Sequence, residues 1–182
     1  MDAAKDYLWN NPPACIAGFQ ACVVKSTGAN TERQTTIFDL HCKCGSSKGS
    51  VVGYPLRSLG RDYSGPEVFV SPLAFACSSC RKVTEIIDTD VDGYHGALRK
   101  HLGESTSPVV IRGTGPRSTF ECHKCKSSQM LVTVGFDYSG AEQDIESEEQ
   151  TGCMEDFFVS FYVQGTCTDC GEKSQIARFV HL

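Results

Sequence analysis

No run in this 182-residue chain approaches the roughly 20 consecutive apolar residues that a membrane-spanning helix needs. Charge is thin as well, at 21% of residues against 40% hydrophobic, a balance too apolar for a disordered chain. Positive charge is the scarcer sign. Against 22 Asp and Glu stand 17 Lys and Arg, and the formal −5 opposes long-range attraction to nucleic acid. Residues 141–156 hold acidic side chains from Glu142 to Asp156 without one Lys or Arg, which reads as a solvated loop, with a docking surface for a basic partner as the alternative. Met1 to Trp9 sets Asp2 and Asp6 beside a single Lys5, so the positive start of a signal peptide is missing and the expected compartment is the cytoplasm.

Several catalytic and ligand patterns are missing too. The glycines of Gly113-Thr-Gly-Pro116 lack the G-x-x-x-x-G-K-[ST] of a phosphate loop and read as a turn. Asp88, Asp90 and Asp92 begin like a calcium loop, but the twelfth position, where a bidentate Glu belongs, is Arg99. No Ser-His-Asp or Cys-His set can be assembled without using a cysteine better spent on metal, so an enzyme ranks below a structural or binding role.

What is abundant is cysteine, at 11 residues. Without an export signal, and with an odd number to pair, metal ligation is favoured over disulfides. Cys122-His-Lys-Cys125 and Cys167-Thr-Asp-Cys170 are two C-x2-C pairs with 41 residues between them. Such a pair places two sulfurs on one ion, and two pairs complete a tetrahedral set of four thiolates. The first half carries a second version, His41-Cys42-Lys43-Cys44 and Cys77-Ser-Ser-Cys80, 32 residues apart.

The halves match beyond the cysteines. At an offset of 81, residues 41–47 fall on residues 122–128; at 75, Asp62-Tyr-Ser-Gly65 falls on Asp137-Tyr-Ser-Gly140; at 90, Cys77 and Cys80 fall on Cys167 and Cys170. Three matched blocks in one order indicate an internal repeat. This alignment sets His41, not Cys42, on Cys122. The first set is therefore either Cys42, Cys44, Cys77 and Cys80 or the same with His41 in place of Cys42, and thiolate softness favours Cys42. Cys15 and Cys22 have no partner at ligand spacing and are expected to be core thiols. The repeated Asp62-Tyr63 and Asp137-Tyr138 read as turns, with a cleft or interaction site between the halves as the alternative.

C-x2-C pairs delivered by β-hairpins resemble those of the zinc-ribbon group, over residues 37–87 and 119–179. The resemblance implies structural zinc. Its members serve nucleic-acid, protein-interaction and purely structural roles, so it leaves the role open.

Hydrophobic alternation predicts the strands. Thr35–Leu40 leads into the first knuckle and Ser50–Tyr54 returns from it; Glu67–Ala76, with Pro72 implying an edge or a bulge, and Lys82–Ile87 follow. Met130, Val132, Val134, Phe136 and Tyr138 share one face of a strand. Phe157, Val159, Phe161 and Val163 share another face, opposed by Phe158, Ser160, Tyr162 and Gln164. The last strand sets Ile176 and Arg178 opposite Ala177 and Phe179. Residues 93–101 suit a short helix.

The expected fold is mainly β: two tandem zinc-ribbon-like antiparallel units. An N-terminal segment (1–34) packs on the first unit (35–87), and a linker with a short helix (88–118) leads to the second (119–182). Two structural zinc ions are the expected cofactors. Four thiolates on one divalent ion leave −2, so two such centres take the formal charge from −5 to −9. Lys43, Lys48, Arg81, Lys82, Lys124, Lys126 and Lys173 flank the sets and offset that charge. The expected partner is a protein. Nucleic acid on the basic rims, or an enzyme with a cleft between the repeats, are the alternatives.

Overall fold

The computed structural model of the chain describes residues 2–24, 35–59, 65, 67–94, 96–97, 100, 112–138 and 154–180. It is a mainly β fold with two similar four-cysteine clusters, arranged as tandem zinc-ribbon-like repeats. The described strands are β1 (Phe19–Val23), β2 (Thr35–Cys42), β3 (Lys48–Pro55), β4 (Phe69–Cys77), β5 (Val83–Ile87), β6 (Ser118–Thr119), β7 (Met130–Asp137), β8 (Ser160–Cys167) and β9 (Lys173–Val180). A helix, α1 (Asp2–Asn10), precedes them, and the described residues of 94–100 are helical. Among the described residues no helix is long and apolar enough to cross a membrane.

The described strands pair with one another antiparallel throughout, and the sheet has two arms. One runs β1–β2–β7–β8–β9 and the other β6–β3–β4–β5. They join where Lys48 and Gly49 pair with Leu131 and Met130. Alternation sets the faces: Thr36, Phe38, Leu40 and Cys42 of β2 and Met130, Val132, Val134 and Phe136 of β7 turn inward. Phe136 meets Phe158, Phe38 and Phe161 at ring-centroid distances of 4.8, 6.2 and 6.4 Å. Phe19 of β1 meets Phe75 of β4 edge to face at 5.9 Å, so one core spans both arms. Each fully buried ring stabilises by about 1.5–3 kcal/mol.

The halves exchange strands. The strand before the first knuckle, β2, pairs with β7 of the second half, and the strand before the second knuckle, β6, pairs with β3 of the first. Asp39↔Thr133 and Phe38↔Val134 correspond to Thr119↔Val52 and Ser118↔Gly53. Gly49 and Met130, equivalent by the repeat, pair with each other and so lie on the pseudo-two-fold axis. The second hairpins match as well. Gly49↔Cys77 corresponds to Met130↔Cys167, and the partner strands bulge at the same place, skipping Ile86 in β5 and Ile176 in β9.

These registers correct the sequence alignment. Residues before the knuckle correspond at an offset of 80 and those after it at 81. The one-residue difference lies inside the knuckle, so Cys42 is equivalent to Cys122, and Cys42-Lys-Cys44 is the shorter version of Cys122-His-Lys-Cys125.

Other expectations also shift. Pro72 of β4 falls where the register with β3 breaks, between Val70 and Ala74, and one residue past Leu73, which makes the last pair with β5, so it sits at a bulge beside β3 and beyond the end of β5. The bulge at Ile176 buries both Ile176 and Ala177, leaving Arg178 exposed and Phe179 stacked on Phe161 at 4.8 Å. Phe158 precedes β8 and is buried against Phe136 and Phe161, not set on an opposing face.

Candidate metal centres

Each knuckle is a tight backbone turn. The N–H of Cys42 donates to Ser46 O, that of Cys122 to Ser127 O, that of Cys77 to Lys82 O and that of Cys167 to Glu172 O, at 2.8–3.0 Å. The residue after the second cysteine takes a left-handed conformation in all four: Gly45 (φ 89°), Arg81 (62°), Lys126 (64°) and Gly171 (73°). Sequence reading missed these four positions, although each directly follows a ligand cysteine.

The turns bring Cys42, Cys44, Cys77 and Cys80 into one group and Cys122, Cys125, Cys167 and Cys170 into another, each with its sulfurs within 4.8 Å of one another. The closest approaches follow the same crossed pattern in both. Cys42 meets Cys80 at 3.5 Å and Cys44 meets Cys77 at 3.6 Å; Cys122 meets Cys170 at 3.6 Å and Cys125 meets Cys167 at 3.5 Å. A disulfide needs about 2.0 Å, and the described cysteines are free thiols. Four sulfurs at about 2.3 Å from a tetrahedral ion stand about 3.8 Å apart, which these spacings fit.

The protonation chemistry fits a cation as well. Burial works to raise the Cys77 thiol, but the N–H groups of Cys80 and Ser79 and the thiols of Cys44 and Cys80 outweigh it and hold it at about 6. Cys167 is held at about 7 against burial by the N–H groups of Cys170 and Asp169 and neighbouring thiols. In the same clusters Cys42 and Cys125 are pushed up to about 12. The N–H of Cys44 and that of Ser127 work downward, but burial and the crowding sulfurs prevail. Each set thus forms one thiolate easily and resists the next, the pattern expected where four sulfurs converge without positive charge between them. A divalent ion supplies that charge, so both sets are able to coordinate metal.

His41 is not among these groups. It lies on the outer face of β2, with Nδ1 4.0 Å from the sulfur of Cys22. Cys22 is exposed, which corrects its reading as a core thiol: β1 is an edge strand and Cys22 falls on its solvent side. Cys15 packs against the core, and burial, with the carboxylates of Asp92 and Asp156, pushes its thiol well up. His123 is exposed beside Ser174 and Glu172, and Lys124 Nζ lies 3.9 Å from Glu172, so part of the basic rim of the second set is already met by a carboxylate.

Of the repeated tetrapeptides, Asp62 and Tyr63 lie outside the described residues. Asp137 ends β7. Tyr138, considered for a cleft or interaction site, is 1% exposed, and its hydroxyl donates to Glu155 O at 2.8 Å. It is a core side chain with its polar tip satisfied. The stretch 141–156 lies outside the described residues up to position 153. Asp88 and Asp90, at the start of the calcium-like run, are bound by Arg112, which reaches the first at 2.7 Å. Compared with known proteins, the chain matches no family model, no curated protein and no solved structure.

Proposed function

We propose that the two cysteine sets hold zinc and that the chain is a structural or protein-interaction module whose ions fix its strand ends. The observation that carries the reading is the placement of each closed four-sulfur set where the exchanged strands meet. β2 ends in Cys42, and Cys122 follows directly on the segment that pairs with β3. An ion at either place holds a hairpin of one half to a strand serving the other.

Four protein sulfurs leave no coordination place for water, so these are structural rather than hydrolytic centres. All four sulfurs lie within 4.8 Å of one another, the arrangement of a set closing on one ion rather than enclosing an iron–sulfur cluster. Thiolate ligands persist where the surroundings are reducing, and we place the chain in such a compartment. Binding zinc at both sets makes the chain more acidic than its formal −5, which favours a protein partner over nucleic acid.

Elemental analysis of the native chain tests the proposal. Two equivalents of zinc are expected, released by a chelator together with loss of the folded signal in circular dichroism. Iron with visible absorption, or a metal-free chain that melts cooperatively, overturns it.

A further inference from the structure

The outward face of the β2–β7–β8–β9 arm holds a feature the metals do not use. Gly135, in the middle of β7, pairs with Tyr162 of β8, which in turn pairs with Arg178 of β9. A Cβ at Gly135 would collide with Cε1, Cζ and Oη of Tyr162. The ring therefore lies across β7, over glycine backbone, as a half-buried flat platform. Burial also pushes its phenol up, keeping it a neutral donor.

A depression of about 310 Å³ opens beside this ring, with Thr35, Asp137 and Ser160 toward one end, Arg178 level with the ring and Gln164 and Gln175 toward the other. Among the described residues, the side chains of Tyr162, Gln164, Gln175 and Arg178 make no hydrogen bond or ion pair. One row along, the equivalent outward pair is already committed: Thr133 donates to Asp39 at 2.7 Å. Among the described residues, the depression thus gathers the unpartnered side chains of Tyr162, Gln164, Gln175 and Arg178 around one aromatic surface.

The composition selects a ligand class. A drug-like apolar ligand needs walls that are mostly hydrophobic, and these are mostly polar. An anion needs net positive charge, but Arg178 is accompanied by Asp137. A hard cation needs several carboxylates, and only one is present. What fits is an uncharged ligand with one C–H-rich face to lie on the Tyr162 ring and hydroxyls around its edge. The amides of Gln164 and Gln175, the guanidinium of Arg178 and the hydroxyl of Tyr162 then meet those hydroxyls as mixed donors and acceptors. The volume, at the low end for ligand sites, suits one or two sugar rings.

We propose that the Tyr162 depression is a binding site for a neutral saccharide. Saturation-transfer NMR on the full zinc-loaded chain tests it, with glucose, galactose, mannose, N-acetylglucosamine, cellobiose and maltose as probes. At least one is expected to receive saturation, and Tyr162→Ala is expected to weaken its affinity about tenfold, the equivalent of one lost stacking contact. Gln175→Ala and Arg178→Ala, at exposed positions, are expected to weaken it several-fold while leaving zinc content and melting temperature unchanged. Those two variants keep the test independent of any effect of Tyr162→Ala on folding. No transfer to any of the six sugars overturns the proposal, as does transfer that survives all three substitutions. Binding of inorganic phosphate or a nucleoside monophosphate at these residues, in place of a sugar, overturns the assigned class.

Discussion

In the β3–β4 hairpin Gly49 lies beneath the ring of Phe75; in β7–β8 the equivalent pair is Met130 and Gly165. A Cβ at Gly49 would collide with that ring. One at Gly165 would come within 2.8 Å of Ile176 Cδ1 and 3.3 Å of Met130 Sδ. The space is the same, but the large residue stands on opposite strands. The pseudo-axis accounts for the exchange, because Gly49 and Met130 face each other across β3 and β7. Two bulky side chains there would compete for one position, and two glycines would leave a void. The backbone has kept its symmetry while the side chains around the axis have become complementary.

Stripping the metal removes what the two halves share most fully and has the largest expected effect. Cys44→Ala and Cys125→Ala are each expected to lose one zinc by elemental analysis. Since structural zinc is worth about 10 kcal/mol or more, each should also lose cooperative melting in circular dichroism. Acid does the same by protonation. Cys77 and Cys167 are held below the ordinary thiol value of 9.0, at about 6 and about 7. The thiolate contribution is therefore full above that ordinary value and is lost as pH falls through 7 and then 6. Zinc release followed with a chromogenic chelator should rise on acidification.

Next come the ring clusters of the two arms. Phe136→Ala, which removes a ring that packs against Phe38, Phe158 and Phe161, is expected to cost about 3–5 kcal/mol in denaturant unfolding. Phe75→Ala is expected to cost less, at about 3 kcal/mol. The complementary pairs can be tested directly. Gly49→Met is expected to destabilise by about 3 kcal/mol, since its Cβ would come within 2.5 Å of the Ala76 carbonyl oxygen as well as meeting the Phe75 ring, and Gly49→Met with Phe75→Gly to recover only the part due to the ring. Equal loss in the single and double variants would show that the pairs are independent.

The smallest effects lie in the knuckle turns, where each set has one glycine and one basic residue in the left-handed conformation. Arg81→Gly and Lys126→Gly are expected to change stability by no more than about 1 kcal/mol, with relief of strain set against unfolded-state entropy. Gly45→Ala and Gly171→Ala are expected to lose about 1 kcal/mol in thermal melts.

Much of this was legible from residue spacing. The eight cysteines and their repeat could be read directly, because a ligand pair must sit two or three residues apart on a turn. β7 was legible too: its inward face alternates without interruption from Met130 to Tyr138. β4 was legible as a strand, read as Glu67–Ala76, but its inward face was not, since residues 69–75 are all buried and a strand covered on both faces has no alternation to read. The bulge at Ile176 shifts parity by one residue, which periodicity alone does not reveal. The choice between His41 and Cys42 rested on ligand softness until the pairing of β2 and β6 fixed the offset. Strand exchange itself joins residues some 90 positions apart, as Asp39 and Thr133 are, and no local pattern encodes such a pairing.

That exchange has a consequence for any shortened form of the chain. A piece ending after the first set would carry β3 without its visitor β6, and β2 without β7 on one of its two sides. Its unsatisfied amides and carbonyls would form a sticky seam, and the nearest matching seam belongs to an identical fragment. Two such halves should clasp each other as the linked repeats now clasp within one polypeptide.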